Sequence, residues 1–174
     1  RLKGLLPCHR LAVAVYQSER DRVLLVAARS DGAVMLPVGF AGNLKGSSLE
    51  PLVREGRVRI LNDLEAYLRD HPQSDSTRLI VKEGMRASLT LPLLAAGQPI
   101  GVMFFSSRER DVYRPEHEAF LRSIVGHIAV IVEKALLLDE LRSARDHLEN
   151  ILRNSADAIA VVDNDNRIIS WNRG

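Results

Sequence analysis

The chain reads as an α+β domain, an antiparallel sheet flanked by helices and followed by a long C-terminal coiled-coil helix. Three observations predict this. Two hairpin patterns, Leu11–Ala28 and Ser88–Ser106, stand far apart in the sequence. Between them lie short helical patterns, each closed by a glycine or a proline. After them runs a stretch from Pro115 to Arg153 with no internal proline.

Leu11-Ala-Val-Ala-Val-Tyr16 alternates large and small apolar residues, and Val23-Leu-Leu-Val-Ala-Ala28 returns after the charged turn Ser18–Arg22. Two such runs joined by a polar turn make an antiparallel hairpin. Asp31-Gly32 closes the second strand. Ala33 to Ser48 is expected to be irregular, because Pro37, Gly39, Gly42 and Gly46 interrupt it. Ser47 or Ser48 is placed to cap a short helix, Leu49–Glu55, which Gly56 ends in the left-handed conformation. Val58–Ile60 is a short strand. Asn62 with Glu65 forms a capping-box pattern for the helix Asp63–Arg69, which His71-Pro72 stops. A helix over Thr77–Glu83 ends at Gly84. Ser88–Leu94 and Ile100–Ser106 pair across the loop Ala95–Pro99. Pro115 suits the first position of the long helix, and Glu116 and Glu118 favour its dipole. Beyond it, apolar runs at Ala158–Val162 and Arg167–Trp171 flank Asp-Asn-Asp-Asn, which is a hairpin signal.

Composition narrows the function classes. Lys and Arg number 24 against 22 Asp and Glu, a net charge of +2, and no basic cluster stands out. The most basic segment, Arg54–Arg59, is short and lacks interleaved aromatics, so no nucleic-acid contact is expected. A single cysteine, Cys8, excludes an intrachain disulfide framework and a cysteine-rich zinc site. That composition fits a reducing, cytoplasmic setting. The most apolar stretch, Leu91–Phe105, is broken by Pro92, Gly97, Gln98, Pro99 and Gly101, so no membrane contact by this segment is expected. The chain begins at Arg1 without an initiator Met and stops just after a hairpin pattern. We therefore expect it to be part of a longer modular protein.

The order of elements resembles a GAF domain over roughly residues 1 to 138. Leu5-Leu-Pro-Cys-His-Arg-Leu-Ala-Val-Ala14 is similar to the family's approach to its first strand. Val53-Arg-Glu-Gly-Arg-Val-Arg-Ile-Leu-Asn-Asp63 resembles its helix, glycine, strand and Asp segment. Gly84–Leu93 and Ile100–Ser106 look like the paired strands before its last helix. Residues 139–153 then continue that helix as a signalling coiled coil. Residues 154–174 resemble the truncated start of a PAS domain, whose first hairpin typically ends in an aromatic or apolar residue followed by Asn, here Trp171-Asn172.

The GAF resemblance implies helices on one sheet face and a small-molecule pocket on the other. Candidate pocket residues are Met35, Phe40, Leu61, Tyr67, Ile80, Met85, Ser88 and Thr90, a mostly apolar set with a few orienting polar groups. The competing expectation is that these side chains pack together as core. Cyclic-nucleotide-binding members carry a spaced set of Asn, Lys, Phe and an Asp-Glu pair. Here Asn43 and Lys45 are not adjacent and no Phe is followed three residues later by Asp-Glu, so cyclic nucleotide is not expected. Phytochrome-like members attach a bilin through a Cys-His pair in a helix after the central strand. Cys8-His9 precedes the first strand instead, where a small buried thiol is the expectation. Methionine sulfoxide reductase members need several cysteines to form and resolve a disulfide, which one cannot do. His9, His71, His117, His127 and His147 share no metal-ligand spacing, and nothing supports haem. His127 lacks the flank of a kinase phosphoacceptor and is expected to be packed or interfacial. No phosphate loop or nucleophile elbow appears, so this segment is not expected to be an enzyme.

The long helix carries two apolar patterns. Phe120, Leu121, Ile124, Val125, Ile128 and Val132 form a stripe broad enough to dock on a sheet. Leu137, Leu141, Ala144, Leu148 and Ile151 then alternate spacings of four and three, a narrow coiled-coil seam that implies a homodimer. The resemblances together imply a regulatory small-molecule-sensing module of a bacterial signal-transduction protein. Its ligand state would pass through a dimeric helix to an output domain in cis. A sensor histidine kinase is the expected context. Alternatives are a structural dimerisation module without ligand, or the sensory module of a diguanylate cyclase or transcriptional activator.

Overall fold

The computed structural model describes residues 6–154 and 160–171. Two compact units divide the chain between Ile131 and Val132.

The first unit is built on a six-stranded antiparallel sheet in the order β3-β2-β1-β6-β5-β4. Its strands are β1 (Arg10–Gln17), β2 (Arg22–Ser30), β3 (Ala41–Asn43), β4 (Arg59–Leu61), β5 (Ala87–Ala95) and β6 (Gln98–Ser107). The helices are α1 (Glu50–Glu55), α2 (Leu64–Asp70), α3 (Asp75–Lys82) and α4 (Pro115–Asn154). The two predicted hairpins form the β1–β2 and β5–β6 pairs, and β1 pairs with β6 to join them. That junction needs Gly101, because a Cβ there would lie 2.2 Å from the carbonyl oxygen of Ala14.

Strand alternation separates two faces. Leu89, Leu91 and Leu93 of β5 stand opposite Phe105, Met103 and Gly101 of β6 on one of them. The leucines, Met103 and Phe105 are all buried. Leu121, Val125 and Ala129 of α4 are buried as well, and Val125 and Gly126 sit beside Leu91 around a small crevice. The helix thus docks through residues spaced by four, with Ile124 and Ile128 of the predicted stripe half-buried beside them. Phe120 is 45% exposed, and Ala129, a small residue, takes a buried position.

Several local expectations are corrected. The irregular segment contains β3, which pairs with β2. Neither Ser47 nor Ser48 caps α1. Its N-cap is Leu49, and Glu50 instead accepts the N–H of Gly46 at 2.8 Å. Asp63, not Asn62, caps α2, accepting the N–H groups of Glu65 and Ala66 at 3.0 and 2.9 Å. The Ala66 N–H, aided by Arg110, holds the Asp63 carboxyl below the usual range. Asn62 is freed for another task. Its amide donates to the Tyr113 carbonyl at 2.9 Å and accepts the Tyr113 N–H at 3.1 Å, anchoring the segment that leads into α4. The β5–β6 loop is also tighter than expected, a two-residue turn at Ala96 and Gly97. α3 begins at Asp75, two residues ahead of the predicted start.

In the second unit, α4 continues to Asn154, and β7 (Ala160–Val162) pairs antiparallel with β8 (Ile168–Trp171). Asp163 holds the turn, accepting the N–H groups of Asp165 and Arg167, each at 2.9 Å. Ala158 and Ile159 of the first predicted tail strand, and Asn172 after the second, lie outside the described residues.

Candidate functional site

The face of the sheet opposite α4 holds a cavity of about 500 Å³. β4 contributes Arg59 and Leu61, and β5 contributes Ser88, which lies opposite Leu61 in the register. β6 adds Phe104, while Ala14, Val23 and Leu25 come from β1 and β2. Tyr67 on α2 and Thr77 and Ile80 on α3 form one wall. The segment from Gly42 to Leu49 forms another. Lys45, Asp70, His71 and Pro72 are exposed lining residues, whereas Ala14, Leu25 and Ser88 are buried. Tyr67 and His71, one helical turn apart, stack with ring centroids 4.2 Å apart.

Of the candidates named from sequence, Phe40, Leu61, Tyr67, Ile80 and Ser88 line this cavity. Three do not. Met85 is fully buried and belongs to the packed cluster with Leu64, Val53 and Val102. Met35 is 47% exposed, because its backbone N–H is tied to Glu83 while the next residue, Leu36, faces the cavity. Thr90 is fully buried and accepts from Arg59 Nη2 at 3.4 Å, so it meets the site through the arginine. His127, expected to be packed or interfacial, is exposed in this chain and makes a 2.8 Å contact from Nδ1 to the Ser123 carbonyl.

Two arginines that sequence reading passed over dominate the cavity's electrostatics. Arg10 and Glu83 form an ion pair at 2.9 Å with side chains 1% and 0% exposed. Glu83 also accepts the N–H groups of Met35 and Leu36, both at 2.7 Å. One carboxylate thereby ties the start of β1 to the segment that brings Leu36 into the wall. Arg59 is different. It bonds the hydroxyls of Ser48 and Thr90, but its Nε is enclosed with no partner. Enclosure pushes its pKa down from the usual arginine range, and only Tyr67 acts the other way. The signal for Arg59 was its place between Val58 and Ile60, a lone cation inside a strand pattern.

Among the described residues, no group of three or more His, Cys, Asp or Glu is placed to hold a metal ion. No described helix is long and apolar enough to cross a membrane.

The GAF domain family model matches residues 6–133. The chain belongs to the GAF domain family. Solved GAF domains share its fold. The GAF domain of a two-component sensor histidine kinase from Bacillus halodurans superposes with a TM-score of 0.64 at 17% identity, covering 79% of this chain and 90% of that one. The GAF domain region of a putative membrane protein from Geobacter sulfurreducens gives a TM-score of 0.60 at 16% identity, covering 76% and 85%. A phycocyanobilin-bound GAF domain from a cyanobacterial phytochrome gives 0.58 at 13% identity, covering 78% and 80%. At these identities the likeness is one of fold. Among curated proteins, none matches this sequence. GAF domains are small-molecule-sensing regulatory modules of signalling proteins.

Proposed function

We propose that this GAF domain, taken as residues 1–138, is the ligand-sensing module of a cytoplasmic, multidomain bacterial signalling protein of the sensor histidine kinase type. The observation that carries this reading is the cavity of about 500 Å³. Its volume lies in the usual range for small-molecule sites, and it combines apolar walls with a few polar groups. A filled core would leave no such space, since protein interiors pack to crystal-like density.

In this reading the output runs through α4. Leu137, Leu141, Leu148 and Ile151 are 58, 67, 60 and 51% exposed, and Ala144 is exposed with them. A second copy of the helix covers that seam, and residues 139–153 form the signalling coiled coil. The β7–β8 hairpin is read as the start of a PAS domain. Ligand binding biases the pairing geometry of the two exit helices and so the state of the domain that follows.

A thermal-shift screen against a metabolite library tests the sensing role. A ligand that binds only the folded state raises Tm in proportion to the logarithm of its concentration above Kd. No saturable stabilisation by any metabolite would instead support a structural dimerisation module.

A further inference from the structure

Arg59 stands out among the charged groups of the cavity wall. Arg10 is neutralised by Glu83, and Lys45 and Asp70 are exposed. The Arg59 guanidinium has two hydroxyl partners, Ser48 and Thr90, and no carboxylate. Its Nε is one of two buried side-chain polar atoms among the described residues that lack a hydrogen bond. Arginine stays protonated in proteins, so this is a permanent charge with no counterion. Arg59 as a whole is half-buried, but a charged group with an enclosed, unpartnered Nε and no carboxylate beside it is costly to keep.

We propose that Arg59 is the anchor for a carboxylate, and that the cavity's ligand is a monocarboxylate with a flat or flexible apolar body. The proposal rests on the sensing role argued above and names the class of molecule sensed. Arg59 is the one lining cation, among the described residues, that is neither ion-paired nor exposed, so it matches a single negative charge, whereas a dianion would leave its second charge to the exposed Lys45 or unpaired. The body of the ligand lies against Leu61, Phe104, Tyr67 and Ile80, which line the same cavity. The guanidinium already sits on β4, held across the strand pair to Thr90, its register partner on β5. A side-chain rotation that brings Nε and one terminal nitrogen to a carboxylate gives the two-pronged pairing that arginine favours. Occupancy would draw the guanidinium away from Ser48, which precedes α1.

The test uses acid and amide pairs of matched shape: indole-3-acetate with indole-3-acetamide, 3-phenylpropionate with 3-phenylpropionamide, and decanoate with decanamide. Phenyl phosphate serves as the dianion. Affinities are measured by calorimetry on the wild-type chain and on Arg59→Gln and Arg59→Met. We expect at least one acid to bind about tenfold or more tightly than its amide, and phenyl phosphate to bind more weakly than that acid. Both variants should lose the preference while keeping the affinity for the amide. Their ligand-free melting temperatures should stay close to the wild type's, because removal of an uncompensated charge offsets the bonds lost to Ser48 and the buried Thr90. Three results overturn the proposal. Equal binding of acid and amide would show that Arg59 anchors nothing, while leaving the cavity as a sensing site for neutral molecules. A marked fall in the melting temperature of both variants would make Arg59 a structural strut. Absence of binding by every probe, together with a negative metabolite screen, would end both the proposal and the sensing role beneath it.

Discussion

Ala96 holds a φ of 47° beside Gly97 at 79° in the turn between β5 and β6. Two positive values in a two-residue loop are the requirement of a type I′ turn, which favours Asn-Gly. Alanine in the left-handed region is unfavourable by about 1 kcal/mol. Ala96→Asn should therefore raise the urea midpoint at unchanged m-value, a gain of about 1 kcal/mol at most. A lower midpoint would show that the turn has a different geometry. Glu83 is the opposite kind of residue, since three groups depend on it. Glu83→Ala would strand the buried Arg10 and leave the N–H groups of Met35 and Leu36 without their acceptor. We expect a loss of about 3–5 kcal/mol in chemical denaturation. A loss below about 1 kcal/mol would mean that water replaces the carboxylate. Neither role is visible in sequence, because Ala96 looks like any loop residue and Glu83 lies 73 positions from Arg10.

Elements follow local rules where local chemistry decides them. Gly56 ends α1 at a φ of 67°, and Pro115 opens α4, as their residue types imply. The rule fails where two caps compete. Asn62 and Asp63 both suit an N-cap, and the fold gives Asp63 to the helix because Asn62 is claimed by Tyr113. In α4, Leu121, Val125 and Ala129 are buried, while Leu137, Leu141 and Leu148 are exposed. Replacing Leu141 and Leu148 with Lys should give a monomer in sedimentation velocity without lowering the melting temperature of the sheet. Those positions lie in the second unit, outside the sheet's core. A wild-type chain that already sediments as a monomer at high micromolar concentration would count against the seam.

At the scale of the molecule, the two hairpins differ in how much apolar surface they cover. Ile168, Ile169 and Trp171 are 64, 63 and 75% exposed, and an isolated two-stranded hairpin is marginal in water. The central hairpin is its opposite, with Leu89, Leu93 and Phe105 each at 0% exposure. Amides of Ala160–Trp171 should exchange hydrogen much faster than those of Leu89–Phe105. Equal protection of both hairpins in a dilute monomer would show that β7 and β8 are held by more than each other.

The sequence by itself determined the α+β class, the two hairpins, the glycine-ended helices and the long exit helix. Each of these depends on apolar periodicity or on a residue whose backbone preference acts over a few positions. Of the eight candidate pocket residues, which the family likeness suggested, Phe40, Leu61, Tyr67, Ile80 and Ser88 line the cavity and Met35, Met85 and Thr90 do not. Only the tertiary structure decided which cations are satisfied. Arg10 meets Glu83 across 73 positions, whereas Arg59 meets two hydroxyls and no acid. Charge compensation depends on distances between segments that the chain brings together only on folding, and no local pattern encodes it.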